Sequence, residues 1–290
     1  MGLLSGLQSR DFELIVRSDD TEYTVTRPTE IKFNAFRSHD RTDNSCGVQV
    51  YNLDPQLRDF IGSEAKSLIL RAGYEHSYGV VFEGDIDFAW QEKSGTDWIV
   101  TINCGASTET IRSTKINKAY PVGTTIRQIV TSVAQSMSLT PVASDAVDLQ
   151  KAIRKPYVFV GSCKGCLNDL ADAYGFSYNI DGRNLFLIDP DKPTKAGQTA
   201  YNINPSNGLV GDVQLTTEGV KAICLLSPQL EPGSIVSLDA PSLNTSYKIG
   251  ETIHTKTSRG GYFVISKMSH QGDYRGGNWN TSFEASVHES

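Results

Sequence analysis

Apolar and polar residues alternate over short runs at both ends of the chain, and this period of two predicts β-strands. Turns rich in Asp, Asn, Gly and Pro separate the runs, which is the spacing of a small antiparallel barrel or sandwich. The strands predicted near the start are Phe12–Val16, Ile31–Phe36, Gly47–Tyr51, Ser67–Ala72, Gly79–Phe82 and Asp97–Asn103. Those predicted near the end are Val213–Leu215, Val220–Leu226, Ile235–Leu238, Tyr262–Ser269 and Trp279–Val287.

The middle of the chain has a helical period instead. After Gly123 and Thr124, apolar residues recur with the spacing of one helix face from Ile126 to Met137. A second helix is predicted over Lys164–Tyr174, ended by Gly175. The short strand Tyr157–Val160 precedes it, and a hairpin of Phe176–Ile180 with Leu185–Ile188 follows. The pattern therefore predicts a mainly β, α+β protein with three parts: a β domain (1–110), an α+β insert with two helices and a hairpin (111–207) and a second β domain (208–290).

An internal repeat links the two β regions. Gly47-Val48, a strand and Pro55-Gln56-Leu57 resemble Gly219-Val220, a strand and Pro228-Gln229-Leu230. Each copy continues with a second strand, then a glycine-led aromatic strand (Gly79–Phe82; Gly261–Val264), then a strand containing Trp98 or Trp279. Four matches in the same order indicate a duplicated β-barrel. We expect Trp98 and Trp279 in equivalent strands, Pro55 and Pro228 in equivalent turns, and differences at Ala106–Ser113 and Asn244–Gly260.

Composition narrows the class of protein. The 290 residues carry a formal charge of −6, so the chain has no basic excess for wrapping nucleic acid. Its 39% hydrophobic and 21% charged residues are typical of a folded protein. The N-terminus lacks a secretory signal pattern, and no apolar run approaches the ~20 residues that span a bilayer. We therefore expect no stable membrane association.

The cysteines supply the sharpest candidate for chemistry. Cys163-Lys164-Gly165-Cys166 opens the second predicted helix, where a helix N-terminus could lower a thiol pKa. However, no βαβ pattern surrounds the motif, and its spacing places Cys163 on the apolar helix face. A zinc site would need two more ligands. Reduced, structural cysteines in a cytosolic compartment are the favoured interpretation, and thiol redox activity stays the alternative. The remaining cysteines are Cys46, Cys104 and Cys224.

Other polar residues fit two further alternatives, a hydrolase and a carbohydrate-binding module. Glu75 with His76, and His270 with Asp273, could be acid–base pairs, and Asp85 with Asp87 could be paired carboxylates. Rim and turn positions of a barrel are the favoured explanation for the two histidine pairs, and a solvated barrel face is the simpler one for Asp85 and Asp87. Trp98 and Trp279 could stack on sugar rings, although a packing role is favoured. The histidines comprise His39, His76, His254, His270 and His288. No catalytic, cofactor-binding or metal site is therefore predicted, and the protein is expected not to be an enzyme.

The ordered motifs resemble the central baseplate hub proteins of tailed bacteriophages. They are also similar to the hub-like part of type VI secretion spike proteins. The matching stretches are Val50–Leu53, Leu70–Tyr74, Val81–Ile86, Gly123–Val130, Gly161–Gly175, Gly219–Gly233 and Met268–Asp273 leading to Trp279.

The resemblance implies a structural virion protein, assembled in the host cytoplasm as a homotrimer with two tail-tube-like barrels in each chain. Such a trimer would be pseudo-six-fold and would adapt a hexameric tail tube to a trimeric central spike. Expected partners are the tube protein, a separate spike protein, other baseplate proteins, the tape-measure protein and genomic DNA in transit. The net charge of −6 predicts a neutral to acidic lumen.

Overall fold

A computed structural model describes most of the chain: residues 9–41, 43–75, 77–105, 111, 113–144, 147–181, 183–189, 199–216, 219–239, 244–249, 252–257 and 260–287. Three longer helices are α1 (Pro55–Ser63), α2 (Ile126–Ser136) and α3 (Cys163–Tyr174). The strands are β1 (Arg10–Arg17), β2 (Glu22–Thr26), β3 (Ile31–Ser38), β4 (Ser45–Tyr51), β5 (Ser67–Tyr74), β6 (Ser77–Ser94), β7 (Asp97–Gly105), β8 (Lys115–Tyr120), β9 (Thr140–Ala143), β10 (Tyr157–Ser162), β11 (Ser177–Asp181), β12 (Asn184–Ile188), β13 (Tyr201–Ile203), β14 (Leu209–Leu215), β15 (Gly219–Leu225), β16 (Ile235–Asp239), β17 (Asn244–Ile249), β18 (Thr252–Thr257), β19 (Gly260–Asp273) and β20 (Trp279–Val287).

One large sheet runs through both ends of the chain. Its thirteen strands follow the order β14-β15-β20-β19-β3-β4-β7-β6-β5-β1-β2, with β16 and β13 branching from β19. We call the strands of residues 10–105 the first β unit and those of residues 201–287 the second β unit. Within the described residues, the strand pairings do not close into a barrel.

The two β units have the same strand order. The first contains the path β3-β4-β7-β6-β5, and the second contains β14-β15-β20-β19-β16, with antiparallel neighbours throughout. A β-bulge interrupts β6 between Ile86 and Phe88, and another interrupts β19 between Ile265 and Lys267. A bulge is a specific irregularity, so its presence at matching points aligns the units residue by residue.

That alignment corrects part of the sequence repeat. Trp98 and Trp279 do occupy equivalent ends of β7 and β20. Val48, however, pairs with Ile102, whereas Val220 pairs with Ala285, the counterpart of Cys104. The Gly-Val motifs are therefore two residues out of register, because a pattern with period two survives a shift of two positions.

The expected turns differ as well. Pro55 opens helix α1, whose N-cap Asp54 accepts a hydrogen bond from the backbone N–H of Gln56, whereas Pro228 lies in a turn. The stretch Asn244–Gly260 contains the hairpin β17–β18, which has no counterpart among the described residues of the first unit. Ala106–Ser113 lies almost wholly outside the described residues. The end of the part predicted as the α+β insert (111–207) contains β13, which pairs in parallel with β16 of the second unit.

The insert between the β units contains α2, α3 and five short strands. A capping box of Thr125 with Gln128 starts α2. Gly175 in the left-handed conformation ends α3, as the sequence pattern predicts. Strands β8 and β10 pair, and β9, β12 and β11 form a small mixed sheet.

Buried apolar side chains form three clusters, one in each part of the chain. The cluster of the first β unit also includes Leu226 and Trp279 from the second. The two β units are therefore packed together at this point.

Candidate assembly interface

The two β units meet edge to edge through β19 and β3. The first half of β19 pairs with β16 of its own unit, and after the bulge its second half pairs with β3 of the other unit. Seven antiparallel pairs connect them, from Lys267 opposite Ser38 to Asp273 opposite Lys32. The second half of β19 thus joins the sheet of the second β unit to the sheet of the first.

Trp279 stabilises the junction between the two β units. Its ring is 2% exposed, and its indole Nε1–H donates to the backbone oxygen of Gly73 in the first β unit at 3.1 Å. Phe33 contacts the ring edge-on at 5.4 Å between centroids, and the Arg10 guanidinium lies 5.7 Å above it. The Tyr74 hydroxyl donates to the Trp279 backbone oxygen at 3.1 Å. Every one of these partners belongs to the other unit.

A buried histidine also lies at the junction. His270 of β19 is opposite Ala35 of β3, with its Nδ1 atom 2.8 Å from Thr281 Oγ1. Burial lowers the pKa of His270 to about 3, with a smaller contribution from the Arg37 charge. The ring is therefore neutral at physiological pH. No partner is present for its Nε2 atom among the described residues.

The first β unit carries an equivalent edge that has no partner strand among the described residues. Beyond its bulge, β6 continues from Phe88 to Ser94 and pairs with β7 on one side only. We call residues 88–94 the β6 edge. Phe88 and Trp90 are 58% and 42% exposed and stack at 5.5 Å between centroids. Trp98 is 37% exposed, with the Arg58 guanidinium 4.2 Å above its ring.

The opposite end of the same sheet path is β14. It pairs with β15 but has no strand on its other side among the described residues. Val210 is 41% exposed, and Val213 is buried in the second unit's core. The path β14-β15-β20-β19-β3-β4-β7-β6 therefore ends in two open edges.

The face of this path that points away from the buried clusters is charge-balanced and also exposes the apolar side chains of Phe88, Trp90 and Ile223. Lys32 pairs with Asp273 across the junction at 3.4 Å, and Lys221 pairs with Glu284 at 3.1 Å. Asn34 and Gln271 lie directly opposite each other on the same face. Because each named cation has a carboxylate neighbour, this face offers few free positive charges to a polyanion.

The thiols of Cys163 and Cys166 lack the environment of a redox-active pair. Cys163 and Cys166 are fully buried and face the α2–α3 core. Burial raises the pKa of both thiols, and the Tyr157 hydroxyl lies 3.7 Å from the Cys166 sulfur. A reactive cysteine needs a lowered pKa and access to solvent, so the structure opposes the redox alternative. The helix-face prediction for Cys163 was correct.

The other candidate pairs are not assembled into a site. Asp273 turns to Lys32 and to the backbone N–H of Gly276, away from buried His270. Burial chiefly raises the pKa of Asp85, with Asp87 adding to it, and Asp85 is partly exposed. Burial lowers the pKa of His39 to about 4. Glu75 accepts a hydrogen bond from Ser9 Oγ. His76, His288 and the side chain of His254 lie outside the described part.

Neither a metal-ligand cluster nor a membrane-spanning helix lies within the described residues. They contain no group of three or more His, Cys, Asp or Glu side chains arranged to hold a metal ion. They also contain no helix with the length and apolar character that a bilayer crossing requires.

Sequence reasoning missed the residues that distinguish the β6 edge from the β19–β3 junction. Arg58 lies on a helix that the apolar pattern did not reveal, and Phe88 and Trp90 lie beyond the predicted end of their strand. Alternating exposed aromatics after Asp85 were the available signal. The pairing of β3 with β19 had no signal, because it joins segments more than two hundred residues apart.

Solved structures of phage tail proteins have the same fold. The 43 kDa tail protein of prophage MuSo2 from Shewanella oneidensis aligns with a TM-score of 0.66 at 10% identity, covering 95% of this chain and 96% of that one. A tail protein from Neisseria meningitidis MC58 aligns with a TM-score of 0.65 at 9% identity, covering 95% and 96%. At these identities the likeness concerns the fold alone.

A type VI secretion protein is similar too. The Escherichia coli c3393 protein, described as a component of that system with structural similarity to T4 tail proteins gp27 and gp5, aligns with a TM-score of 0.60 at 12% identity, covering 96% of this chain and 77% of that one. No curated protein sequence matches the chain. A family model described as "Baseplate hub gp41" matches residues 12–269. Since that match covers most of the sequence, this protein belongs to the baseplate hub gp41 family, a family of structural components of the phage tail.

Proposed function

We propose that this protein is the central hub of a phage tail baseplate, working as a homotrimer. Three chains, each with two similar β units, form a pseudo-six-fold ring. One side of the ring meets the hexameric tail tube, and the other meets a trimeric spike. The role is geometric, with no catalytic centre.

The repeated strand order carries this proposal. The paths β3-β4-β7-β6-β5 and β14-β15-β20-β19-β16 have the same neighbours, and β6 and β19 have a bulge at the same point. A trimer can match a hexamer only if each chain offers two similar contact surfaces. The repeat supplies them.

The chain is divided accordingly into a first tube-like β-barrel (1–110), an α+β insert (111–207) and a second tube-like β-barrel (208–290). In this division a barrel is completed by the ring, since each unit contributes an open sheet. The three buried clusters support the division, because each lies almost entirely within one part.

The charge-balanced face of the sheet lines the lumen. DNA passes it in transit, without stable binding. Partners at the tail tip are the tube protein, the spike, other baseplate proteins and the tape-measure protein. The particle is assembled in the host cytoplasm and ends in the virion baseplate.

Native mass spectrometry and cryo-EM of the purified protein test the proposal. We expect three times the mass of the 290-residue chain and ring-shaped views with six similar lobes around a three-fold axis. A monomeric mass at micromolar concentration, or two β units stacked along the axis instead of around it, would contradict the hub function.

A further inference from the structure

The geometry points to one specific contact between subunits: the β6 edge of one chain pairs antiparallel with β14 of a second copy. Trp98 packs into the same contact. This inference rests on the proposed trimer and adds the strands, the register and the anchoring residue.

The pairing of β19 with β3 inside the chain serves as the template for the contact between two chains. There the second half of β19, just past its bulge, pairs with β3. In the repeat β19 corresponds to β6, and β3 corresponds to β14, because each occupies the same place in its strand order. Of these four strands, β19 and β3 pair with each other, whereas the β6 edge and the outer side of β14 have no neighbouring strand among the described residues. A second copy is thus the occupant that matches both edges.

The register follows from the strands between the edges. Gln271 is opposite Asn34 in the template. Glu92 corresponds to Gln271, because each lies one pair away from its unit's tryptophan: Glu92 is opposite Ile99, and Gln271 is opposite Asn280.

The partner of Glu92 is found in the same way. Asn34 pairs with Gly47, which pairs with Asn103, five residues after Trp98. In the second unit, Glu284 lies five residues after Trp279 and pairs with Lys221, which pairs with Gln214. Gln214 therefore corresponds to Asn34, and Glu92 lies opposite Gln214 of the next subunit. Trp90 then lies opposite Thr216.

The exposed fractions of the two tryptophans differ as expected if a second subunit covers Trp98 in the assembled ring. Trp279 is 2% exposed because the other β unit covers it, whereas Trp98 is 37% exposed. Trp279 contacts Phe33 of β3, and the corresponding part of β14 is the irregular segment between Val210 and Gln214. Trp98 therefore packs against this segment of the neighbour. Exposed aromatic residues with an adjacent arginine are typical of interface hot spots, which also fits Arg58 stacked on Trp98.

An unpaired edge strand with exposed aromatics promotes unwanted association unless it is covered. The β6 edge includes Phe88 and Trp90 and carries one acidic and one basic residue, Glu92 and Lys93. Closing the ring through β14 covers this edge in every subunit. Three chains then complete a continuous ring of strands.

Disulfide trapping tests the register. In the double variant Glu92→Cys with Gln214→Cys, directly opposed residues lie within the Cα distance that a disulfide spans. The five native cysteines are buried, so they do not compete. We expect mild oxidation to give covalent dimers and trimers on non-reducing gels. The matched control is Glu92→Cys with Val210→Cys, which uses the same face but lies roughly 7 Å out of register, because Val210 and Gln214 pair with residues only two positions apart in β15.

The outcomes separate the inference from the proposed function. A trimeric mass with no cross-link in the first variant, or with equal cross-linking in the control, overturns the β6–β14 pairing and leaves the trimer standing. A monomeric mass in both variants and in the wild type contradicts the hub function itself.

A second variant tests the anchor. Trp98→Ala is expected to raise the dissociation constant of the trimer by at least about 30-fold, the effect of losing an interface hot spot. Val160→Ala, on an exposed strand of the insert, is the control and should leave the constant unchanged. Equal trimer stability in the two variants would overturn the role of Trp98.

Discussion

Two tryptophans at equivalent positions show how context sets the role of a residue. Trp279 is buried between the β units and donates a hydrogen bond to Gly73, whereas Trp98 lies at the surface beneath Arg58. The same side chain therefore stabilises a fold in one copy and is available for assembly in the other.

Substituting each tryptophan should separate these roles. Trp279→Ala removes a large buried side chain, so we expect the free energy of unfolding to fall by about 3–5 kcal/mol. Trp98→Ala should lower it by roughly 1 kcal/mol in the isolated chain, because the ring is partly solvated and chiefly loses its cation–π contact. Urea unfolding at a concentration where the protein is monomeric measures both. Equal losses would contradict the assignment of Trp279 to the junction.

His270 should make the stability of the chain depend on pH. Its folded pKa of about 3 lies below the 6.5 of an unperturbed histidine. The unfolded chain therefore binds a proton below pH 6.5 while the folded chain does not. The free energy of unfolding should be constant above pH 6.5 and fall below it by up to about 1.4 kcal/mol per pH unit from this group.

Urea unfolding at pH 7.5 and pH 5 measures this effect. In His270→Gln, which has no titrating ring, the difference between the two pH values should shrink by about 1–2 kcal/mol. His39, whose pKa burial also lowers, leaves a residual dependence. An undiminished difference would show that His270 does not carry the effect.

At the scale of elements, helices with a strong hydrophobic period could be predicted from the sequence. The pairing of strands from distant parts of the chain could not. Helices α2 and α3 were predicted closely, because each has an apolar face with helical spacing and a glycine ends α3. Helix α1 was missed, since its nine residues bury only Phe60 and Ile61. The β6 edge was missed because it leaves Phe88 and Trp90 in solvent, which is not the pattern of a half-buried strand.

The candidate assembly interface shows the same contrast between local features, which could be predicted, and contacts between distant segments, which could not. The sequence repeat predicted that Trp98 and Trp279 are equivalent, and the strands place them so. It could not predict that Trp279 is covered by Gly73 and Phe33, because those contacts depend on how the two units meet. Local propensity carries no information about such contacts between distant segments.

Glycine in the junction strand should be essential for the edge-to-edge contact. Gly272 lies opposite Phe33, and a Cβ atom at this position would overlap the Phe33 ring. Gly272→Ala should therefore force that ring aside and lower the free energy of unfolding by about 1–3 kcal/mol. Gly277→Ala, where a Cβ would meet open space, is the matched control. Thermal unfolding compares the two, and equal melting temperatures would contradict this account of the junction.

At the scale of the whole molecule, charge balance on one sheet face fits a channel that DNA crosses without binding. Lys32 and Lys221 are paired with Asp273 and Glu284, so the face has cations but little net positive charge. A channel lined by unpaired lysines would hold phosphates electrostatically and slow the passage of DNA.

Neutralising the two carboxylates should therefore create DNA affinity that the wild type lacks. In Asp273→Asn with Glu284→Gln, hydrogen-bonding capacity stays but Lys32 and Lys221 lose their counter-charges. We expect measurable binding to a fluorescent DNA duplex by anisotropy at low salt, with the affinity falling as salt rises because counterions are released. Neutralising two carboxylates elsewhere is the control: Asp148→Asn with Glu22→Gln gives the same net charge on other surfaces. If both variants bind DNA equally, net charge rather than the polarity of this face governs the interaction, and the face would lose its assignment as the lumen.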